Sequence, residues 1–247
     1  MNISDKLRAL LHMTESMCVL TGAGISAESG VETFRGSNGL WSKLKPEELA
    51  NFDAFMRNPE LVWEWYNYRK TLIHDVKPNP GHYALARMQE LVSDFTLVTQ
   101  NIDNQHIRAG SKKVLELHVN IERSYCIDCG KFAADVEVSS ENKVPHCPTC
   151  NGIIRPDIVW FGEMLPEGVF EAAAKAAIRC ELFLTVGTSA VVYPAASLPL
   201  IARKNGAYVV EINMERTEIS HNVHETLLGK AGEILPQLVK MKEEIKG

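Results

Sequence analysis

The chain has 247 residues, of which 45% are hydrophobic and 23% are charged, the composition of an ordinary globular protein. This length predicts one large domain, or one domain that carries an insertion. The net charge is -5, and no dense run of Lys and Arg forms a phosphate-binding stripe. Nucleic acid is therefore not the expected partner.

The N-terminal segment "MNISDKLRALLHMTESM" predicts an amphipathic helix. It does not resemble a signal peptide, because it lacks a basic start followed by an apolar run. Residues 182–202 form an uncharged stretch of 21 residues, close to the roughly 20 residues that span a bilayer. Gly187, Pro194 and Pro199 break this stretch into a strand, a loop and a helix. We therefore expect a buried α/β core there and a cytoplasmic protein.

Apolar runs typical of β-strands recur along the chain, and helix-like segments separate several of them. These runs are "MCVL" (17–20), "FTLVT" (95–99), "VLEL" (114–117), "LFLTV" (182–186) and "YVVEI" (208–212). Their alternation with helices predicts an α/β fold, a parallel sheet with helices on both faces. Two segments, 36–85 and 119–156, do not fit the alternation and are predicted to be insertions into one domain. That domain would comprise residues 1–35, 86–118 and 157–247.

The stretch "VLTGAGISAESG" (19–30) leads from a strand into Gly22, Gly24 and Ala27, the G-x-G-x-x-A form of the dinucleotide-binding fingerprint. Glycine permits the tight turn and lets backbone N–H groups approach a pyrophosphate. The alternative is a tight strand-to-helix turn with no ligand. No acidic residue ends a second strand about 20 positions further on, so recognition of a ribose must come from elsewhere.

Polar residues follow the other predicted strands, at the sheet edge where open α/β folds bind ligands. They are found in "TQNIDNQH" (99–106), in "TVGTSAVV" (185–192) and in "VVEINMER" (209–216). His118 ends "VLELH" and is either an ordinary packed histidine or a general base. Each of these residues alone is typical of a loop or cap, but together they predict one shared site.

"CIDC" (126–129) and "CPTC" (147–150) form the pattern C-x2-C-x17-C-x2-C. Two tight pairs of thiolates suit a tetrahedral zinc ion, and four protein ligands leave no open position, so the predicted ion is structural. The alternatives are two disulfides or four free thiols, and His146 is a rival ligand. Cys18 and Cys180 stand alone in apolar runs and are predicted to be small buried hydrophobes.

Together these motifs resemble those of the sirtuins, the NAD-dependent protein lysine deacylases. The matching elements are "GAGISAESG", "FRG" (34–36), "TQNID", "LELH", the four cysteines, "GTS" (187–189) and "IN" (212–213), in the family's order. The resemblance implies a Rossmann-like domain, a small zinc-binding module at 119–156, and NAD+ as a consumed co-substrate. Residues 36–85 would form a cofactor loop and a helical insertion.

The resemblance also implies roles for individual residues. His118 would be the general base on a ribose hydroxyl, with Asn101 beside it, and the products would be nicotinamide, free lysine and O-acyl-ADP-ribose. The residues implied to hold NAD+ are Gly22, Ala23, Gly24, Ser26, Phe34, Arg35, Trp41, Gln100, Asn101, Ile102, Asp103, Gly187, Thr188, Ser189, Asn213 and Ala231. Those implied to hold an acyl-lysine peptide are Tyr66, Arg69, Val159, Trp160, Phe161 and Gly162. The implied zinc ligands are Cys126, Cys129, Cys147 and Cys150.

Three residues depart from the family's pattern. Glu32 stands where proline is usual, and Gln105 stands where an apolar residue is usual. Val119 replaces the glycine that follows the catalytic histidine. If position 119 requires a positive φ, valine would be strained there and would displace His118.

The segment "WEWYNYRK" (63–70) concentrates aromatic residues and an arginine. Tyr66 and Arg69 are three residues apart and would share a helix face, where they could hold an acyl group that ends in a carboxylate. This pair, and Ala50, resemble the sirtuin branch that removes succinyl, malonyl and glutaryl groups. The alternative is simple packing of the insertion, the role we expect for Trp63, Trp65 and Tyr68.

The leading hypothesis is therefore an NAD-dependent lysine desuccinylase or demalonylase with weaker deacetylase activity. A general protein deacetylase and a protein ADP-ribosyltransferase are the enzymatic alternatives. A catalytically silent NAD-binding module is the alternative that Val119 keeps open.

Overall fold

The computed structural model describes residues 3–33, 46–133, 136, 138–139 and 141–244. Three residues predicted to contact the cofactor, Phe34, Arg35 and Trp41, lie outside the described residues. The N-terminal helix α1 (Asp5–Met13) is confirmed, although it ends earlier than the predicted segment. It begins at Ser4, whose Oγ accepts a hydrogen bond from the Leu7 backbone N–H at 3.1 Å, a typical N-cap.

The part of the chain that the structure describes contains nine strands and ten α-helices. The strands are β1 (Ser16–Thr21), β2 (Asp94–Thr99), β3 (Val114–Glu116), β4 (Val119–Cys126), β5 (Phe132–Ala133), β6 (Ile154–Ile158), β7 (Leu182–Val186), β8 (Tyr208–Asn213) and β9 (Glu225–Leu228). The helices after α1 are α2 (Ala23–Ala27), α3 (Pro46–Leu49), α4 (Phe52–Arg57), α5 (Pro59–Asp75), α6 (Pro80–Leu91), α7 (Gln105–Arg108), α8 (Val169–Arg179), α9 (Leu198–Lys204) and α10 (Ala231–Glu243). All five predicted strands are present.

The main sheet has six strands in the order β3-β2-β1-β7-β8-β9, and every pairing in it is parallel. Side chains of α1, α6 and α10 share one hydrophobic core with the sheet, and side chains of α8 and α9 share a second core with it. The predicted parallel sheet with helices on both faces is therefore confirmed. Residues 182–202 contain β7, a loop and the start of α9, and no helix in the described ranges is long and apolar enough to cross a membrane.

A smaller antiparallel sheet, β5-β4-β6, carries the cysteines. A third core joins this sheet to the helical insertion, because Phe55 of α4 and Trp63 of α5 are buried with Ile121, Ile154 and Ile158. The Trp63 indole N–H also donates to the Ile154 carbonyl at 2.9 Å. The two predicted insertions therefore pack against each other, and this contact fixes the position of α5.

Candidate functional site

A cavity of about 1230 Å³ opens at the carboxyl ends of the parallel strands. The strand order reverses between β1 and β7, which is the position where open α/β sheets bind nucleotides. Loops that follow β1, β2, β7 and β8 form one side of the cavity, and the segment after β6 forms the other. The predicted residues that line it are Gly22, Ala23, Gly24, Gln100, Asn101, Ile102, His118, Gly187, Thr188, Ser189 and Asn213, with Tyr66, Val159, Trp160, Phe161 and Gly162 on the other side.

The glycines of the first motif allow two loops to touch. A Cβ atom placed on Gly22 would lie 2.8 Å from the carbonyl oxygen of Gly187, and one placed on Gly24 would lie 2.7 Å from that oxygen. The Gly24 backbone N–H donates to the same carbonyl at 2.7 Å. The loop after β7 thus packs directly on the loop after β1. This contact between loops also requires glycine at both positions, a reason that the sequence motif did not predict.

A buried polar network lies behind the first loop. Ser26 Oγ donates to Asp103 Oδ2 at 2.6 Å, and Asn101 Nδ2 donates to the Gly22 carbonyl at 3.1 Å and to Ser26 Oγ at 3.2 Å. Burial raises the pKa of Asp103, and the Ser26 hydrogen bond opposes this shift. Asn101 lines the cavity, whereas Ser26 and Asp103 are buried behind its wall. They can act on a ligand only by fixing the residues in front of them.

His118 lines the cavity, and its orientation is fixed from behind. Its Nδ1 lies 2.8 Å from the backbone carbonyl oxygen of Gln100. A carbonyl only accepts hydrogen bonds, so Nδ1 carries the proton and Nε2 keeps a free lone pair. Burial lowers the pKa of His118, and the hydrogen bond to Gln100 opposes this shift in part. The imidazole is therefore neutral near pH 7 and able to accept a proton at Nε2.

Val119 adopts φ +64°, in the left-handed region that strongly disfavours β-branched residues. Position 119 therefore does have a positive φ, and His118 lines the cavity beside it. Its side chain keeps the hydrogen bond to Gln100, and its carbonyl accepts from the Val159 backbone N–H at 3.3 Å. The valine is strained while the histidine stays in the cavity wall.

The other two departures from the family's pattern lie near the end of α5 and near Arg69. Gln105 is fully buried, and its side-chain nitrogen lies 3.5 Å from the Ile73 carbonyl in the last turn of α5. Glu32 is exposed, and its charge raises the pKa of Arg69. Both residues therefore act on the helix that carries Tyr66.

The segment 63–70 separates into different environments. Trp63, Tyr66 and Arg69 are buried along one face of α5, as predicted for the last two. Tyr68 is 61% exposed, so the expectation that it packs the insertion is wrong. Trp65 is half-buried, and its ring packs edge-on against Tyr66 with centroids 4.5 Å apart.

Tyr66 lines the cavity, and Arg69 does not. The Arg69 guanidinium lies 5.5 Å from the centroid of the Trp65 ring, and the residue as a whole is 4% exposed. Burial lowers the pKa of Arg69, while Tyr66, Asp103 and Glu32 raise it. The arginine is therefore a buried cation immediately behind the tyrosine in the wall.

Ala231 also lies away from the cavity wall. It is buried at the start of α10, where its backbone approaches α6 near Gly81. The next backbone N–H, of Gly232, donates to Glu28 Oε1 at 3.0 Å. The position of Ala231 is thus explained by the packing of α6 and α10.

The four predicted metal ligands form one cluster. Their sulfur atoms all lie within 4.8 Å of one another, with Cys126 to Cys150 at 3.5 Å and Cys129 to Cys147 at 3.7 Å. These distances are far longer than a disulfide bond of about 2 Å. They match the edge of a tetrahedron of about 3.8 Å that follows from Zn–S bonds of about 2.3 Å. The cluster fits a structural zinc ion with a complete shell of four thiolates.

His146 is not a member of the cluster. Its Nδ1 lies 2.9 Å from the Asn151 carbonyl, to which it donates. The two lone cysteines, Cys18 and Cys180, are buried in the second sheet core, as predicted.

Part of the cavity wall was not predicted from the sequence. It consists of residues 164–168, 192–194 and 214–217, which are loop or turn segments after β6, β7 and β8, and of Phe170 and Glu171 in the first turn of α8. Arg155 and Glu163, which hold Trp160 from behind, were also missed. The position of these loops after strand ends is a signal that the sequence did carry.

The fold and the site define a Rossmann-like, nucleotide-binding α/β protein with a four-cysteine module. The Sir2 family model matches residues 22–194. The chain is 49% identical to "NAD-dependent protein deacylase 2" of Pyrobaculum aerophilum over 247 residues, which covers 100% of this chain and 96% of that protein. The chain belongs to the Sir2 (sirtuin) family.

Solved structures of family members agree with this assignment. A Sir2 homologue–NAD complex superimposes with a TM-score of 0.92 at 40% identity, covering 100% of this chain and 96% of that one. A complex of Sir2 with a p53 peptide and NAD+ superimposes with a TM-score of 0.86 at 35% identity, covering 98% and 100% of the two chains.

Proposed function

We propose that this Sir2-family protein, an NAD-dependent protein deacylase, removes acyl groups that end in a carboxylate, succinyl and malonyl, from lysine side chains, and acetyl more weakly. The observation that carries the proposal is the pair on α5. Tyr66 lies in the cavity wall, and the buried cation Arg69 lies one helical turn further along the same face. Relatives named NAD-dependent protein deacylases support the reaction class.

NAD+ is assigned to the loops of the α/β domain, residues 1–35, 86–118 and 157–247. When bound, it supplies the ribose carbon that receives the acyl oxygen as nicotinamide leaves. The loop of residues 22–24 would approach the pyrophosphate, and Asn101 would contact the nicotinamide half, with Asp103 fixing Asn101 through Ser26. The residues assigned to the adenosine half are Gly187, Thr188, Ser189 and Asn213. The Asn213 side chain is tied to this loop, because its Nδ2 donates to the Thr188 carbonyl at 3.0 Å.

His118 is assigned the role of general base. Its neutral Nε2 is the basic atom that remains after Nδ1 donates to Gln100, and the lone pair is available to a hydroxyl in the cavity. The peptide is assigned to the segment Val159–Gly162. It would pair there as an added strand, since this segment continues β6 along the cavity.

The preference for acidic acyl groups rests on charge and space. Tyr66 offers a hydroxyl donor in the wall, and the guanidinium of Arg69 can pair with a carboxylate in two parallel hydrogen bonds. Ala50 lines the same cavity with a side chain of one carbon. It therefore leaves room for an acyl chain longer than acetyl.

A second candidate, a general protein deacetylase, is favoured by one observation. Arg69 does not line the cavity, and the Asp103 carboxylate already raises its pKa. If that carboxylate satisfies the guanidinium, an acyl carboxylate gains nothing from it. The two candidates differ in the relative rates for matched acyl peptides.

The test is the rate of deacylation of succinyl-lysine and acetyl-lysine peptides of one sequence with NAD+, followed by mass spectrometry. We expect kcat/KM to be much larger for succinyl. Arg69→Met should lower only the succinyl value, by more than tenfold, because a hydrogen bond to a charged group contributes about 1.5–3 kcal/mol. Arg57→Met is the matched control, since Arg57 is an exposed arginine on the neighbouring helix α4.

An Arg69→Met variant that keeps its preference for succinyl would eliminate the acidic-acyl proposal and leave the general deacetylase. The base assignment has its own test. His118→Tyr should abolish deacylation of both peptides while the thermal unfolding temperature stays near that of the wild type. Residual activity near the wild-type rate would sink the assignment of His118.

A further inference from the structure

The hydroxyl of Tyr66 has an unusually constrained environment. The indole N–H of Trp160 lies 2.8 Å from the Tyr66 oxygen, and an indole nitrogen can only donate. The tyrosine oxygen is therefore the acceptor, and its own proton must be directed elsewhere. Among the described residues, no second group forms a hydrogen bond with this hydroxyl, which lies in a wall of the cavity.

Trp160 is itself held on three sides. The guanidinium of Arg155 lies 3.5 Å from the centroid of its ring, and the Phe55 ring packs against it with centroids 5.3 Å apart. The Trp160 backbone N–H donates to Glu163 Oε2 at 2.8 Å. Trp160 is 2% exposed, so its indole has little freedom to turn away from Tyr66.

Arg155 and Glu163 form the base of this arrangement. Arg155 is 2% exposed and makes two hydrogen bonds to the Glu163 carboxylate, one from Nη1 and one from Nη2 at 2.9 Å. A second hydrogen bond from Nη2 reaches the Ile158 carbonyl at 2.9 Å. The ion pair thus fixes both ends of the segment that carries Trp160.

We infer that Trp160 is a positioning residue for acyl specificity, because its indole N–H occupies the acceptor side of Tyr66 and leaves the tyrosine proton for an acyl carboxylate. The inference rests on the proposed function. Burial raises the pKa of Tyr66 well above its ordinary value, so the hydroxyl remains a donor at any working pH. Arg155 and Glu163 act through Trp160 by holding its ring and backbone.

The test is a double-mutant cycle on Trp160 and Tyr66. The readout is the ratio of kcat/KM for succinyl-lysine to that for acetyl-lysine, because loss of general packing at Trp160 lowers both values together. Trp160→Phe should lower this ratio about fivefold, the fold-change that one neutral hydrogen bond gives. Tyr66→Phe should lower it about tenfold or more. In the Tyr66→Phe background, Trp160→Phe should change the ratio less than twofold, since the two residues act as one unit.

Trp63→Phe is the matched control. Trp63 is a buried tryptophan of α5 whose indole donates to the Ile154 carbonyl rather than to Tyr66, so the ratio should not change. Thermal unfolding checks that each variant folds, and Trp160→Leu, which also lacks a donor to Tyr66, replaces Trp160→Phe if that protein does not.

The outcomes separate the two proposals. Independent effects of the two substitutions, or an unchanged ratio in Trp160→Phe when Tyr66→Phe lowers it, would overturn the positioning role alone. An equal fall of the ratio in Trp63→Phe would overturn it as well. A wild-type ratio near one would overturn the proposed acyl preference, and the positioning role with it.

Discussion

Val119→Gly removes the one β-branched residue with a positive φ among the residues that the structure describes. The left-handed conformation costs a side-chain-bearing residue about 1–2 kcal/mol. Glycine does not pay this cost, but its freer unfolded chain costs about 0.5–1 kcal/mol. The difference predicts that Val119→Gly raises the free energy of unfolding by about 0.5–1 kcal/mol.

Thermal unfolding measures this change directly. For a chain of this size, 1 kcal/mol shifts the midpoint by about 2–4 °C, so we expect a rise of about 1–4 °C. His118 keeps its hydrogen bond to Gln100 in either protein, so kcat/KM for the succinyl peptide should change less than about threefold. The same substitution at Val114, a half-buried strand residue with a negative φ, should lower the midpoint.

A Val119→Gly protein that is less stable than the wild type by 1 kcal/mol or more would refute the strain argument. It would mean that packing of the valine side chain outweighs the backbone cost. A large change in kcat/KM without a change in stability would instead mean that valine alters the position of His118 itself.

Three further predictions concern pH and the metal. Burial lowers the pKa of His82 from 6.5 to about 4, so its contribution to stability is complete above pH 6.5 and is lost as the pH falls toward 4. Lowering the pH from 7 to 5 should therefore cost about 2 kcal/mol of unfolding free energy through His82 alone. Urea titrations of His82→Gln should show an unfolding free energy that depends less steeply on pH. The raised pKa of Asp103 makes that residue stabilise the fold as the pH falls, but this effect is present in both proteins. Burial also lowers the pKa of His118 below the ordinary histidine value of 6.5. In a pH–rate profile, kcat/KM should therefore stay constant as the pH falls to 6.5 and should decrease only below that pH. A strong chelator should release about one zinc ion per chain and expose the β4–β6 module to proteolysis. Cys150→Ser should expose the module in the same way. A module that resists proteolysis after loss of the metal would contradict a structural role for zinc.

Local sequence patterns determined a large part of the fold. Alternating apolar strands and helices predicted the parallel sheet, because a strand buried on both faces must be apolar throughout. The spacing of the four cysteines predicted their cluster, since two close pairs can surround one tetrahedral ion. Strand β9 was not predicted, because it is a short, half-exposed edge strand with little apolar pattern.

The candidate site depended more strongly on tertiary structure. Polar residues at strand ends converge as predicted, because parallel strands bring their carboxyl ends to one edge of the sheet. The environment of the α5 helix could not be predicted in this way. Tyr66 and Trp160 are 94 residues apart, and their hydrogen bond depends on the packing of α5 against the cysteine module.

The sequence by itself determined the fold class, the cysteine cluster, the loops that form the site and the pairing of Tyr66 with Arg69 on one helix face. Only the tertiary structure placed Tyr66 in the cavity wall and Arg69 behind it, and only it gave Val119 its positive φ. The physical reason is the distance along the chain over which each property is determined. Helix periodicity and ligand spacing are local properties of a chain, whereas the direction of a side chain relative to a cavity depends on every element that packs around it.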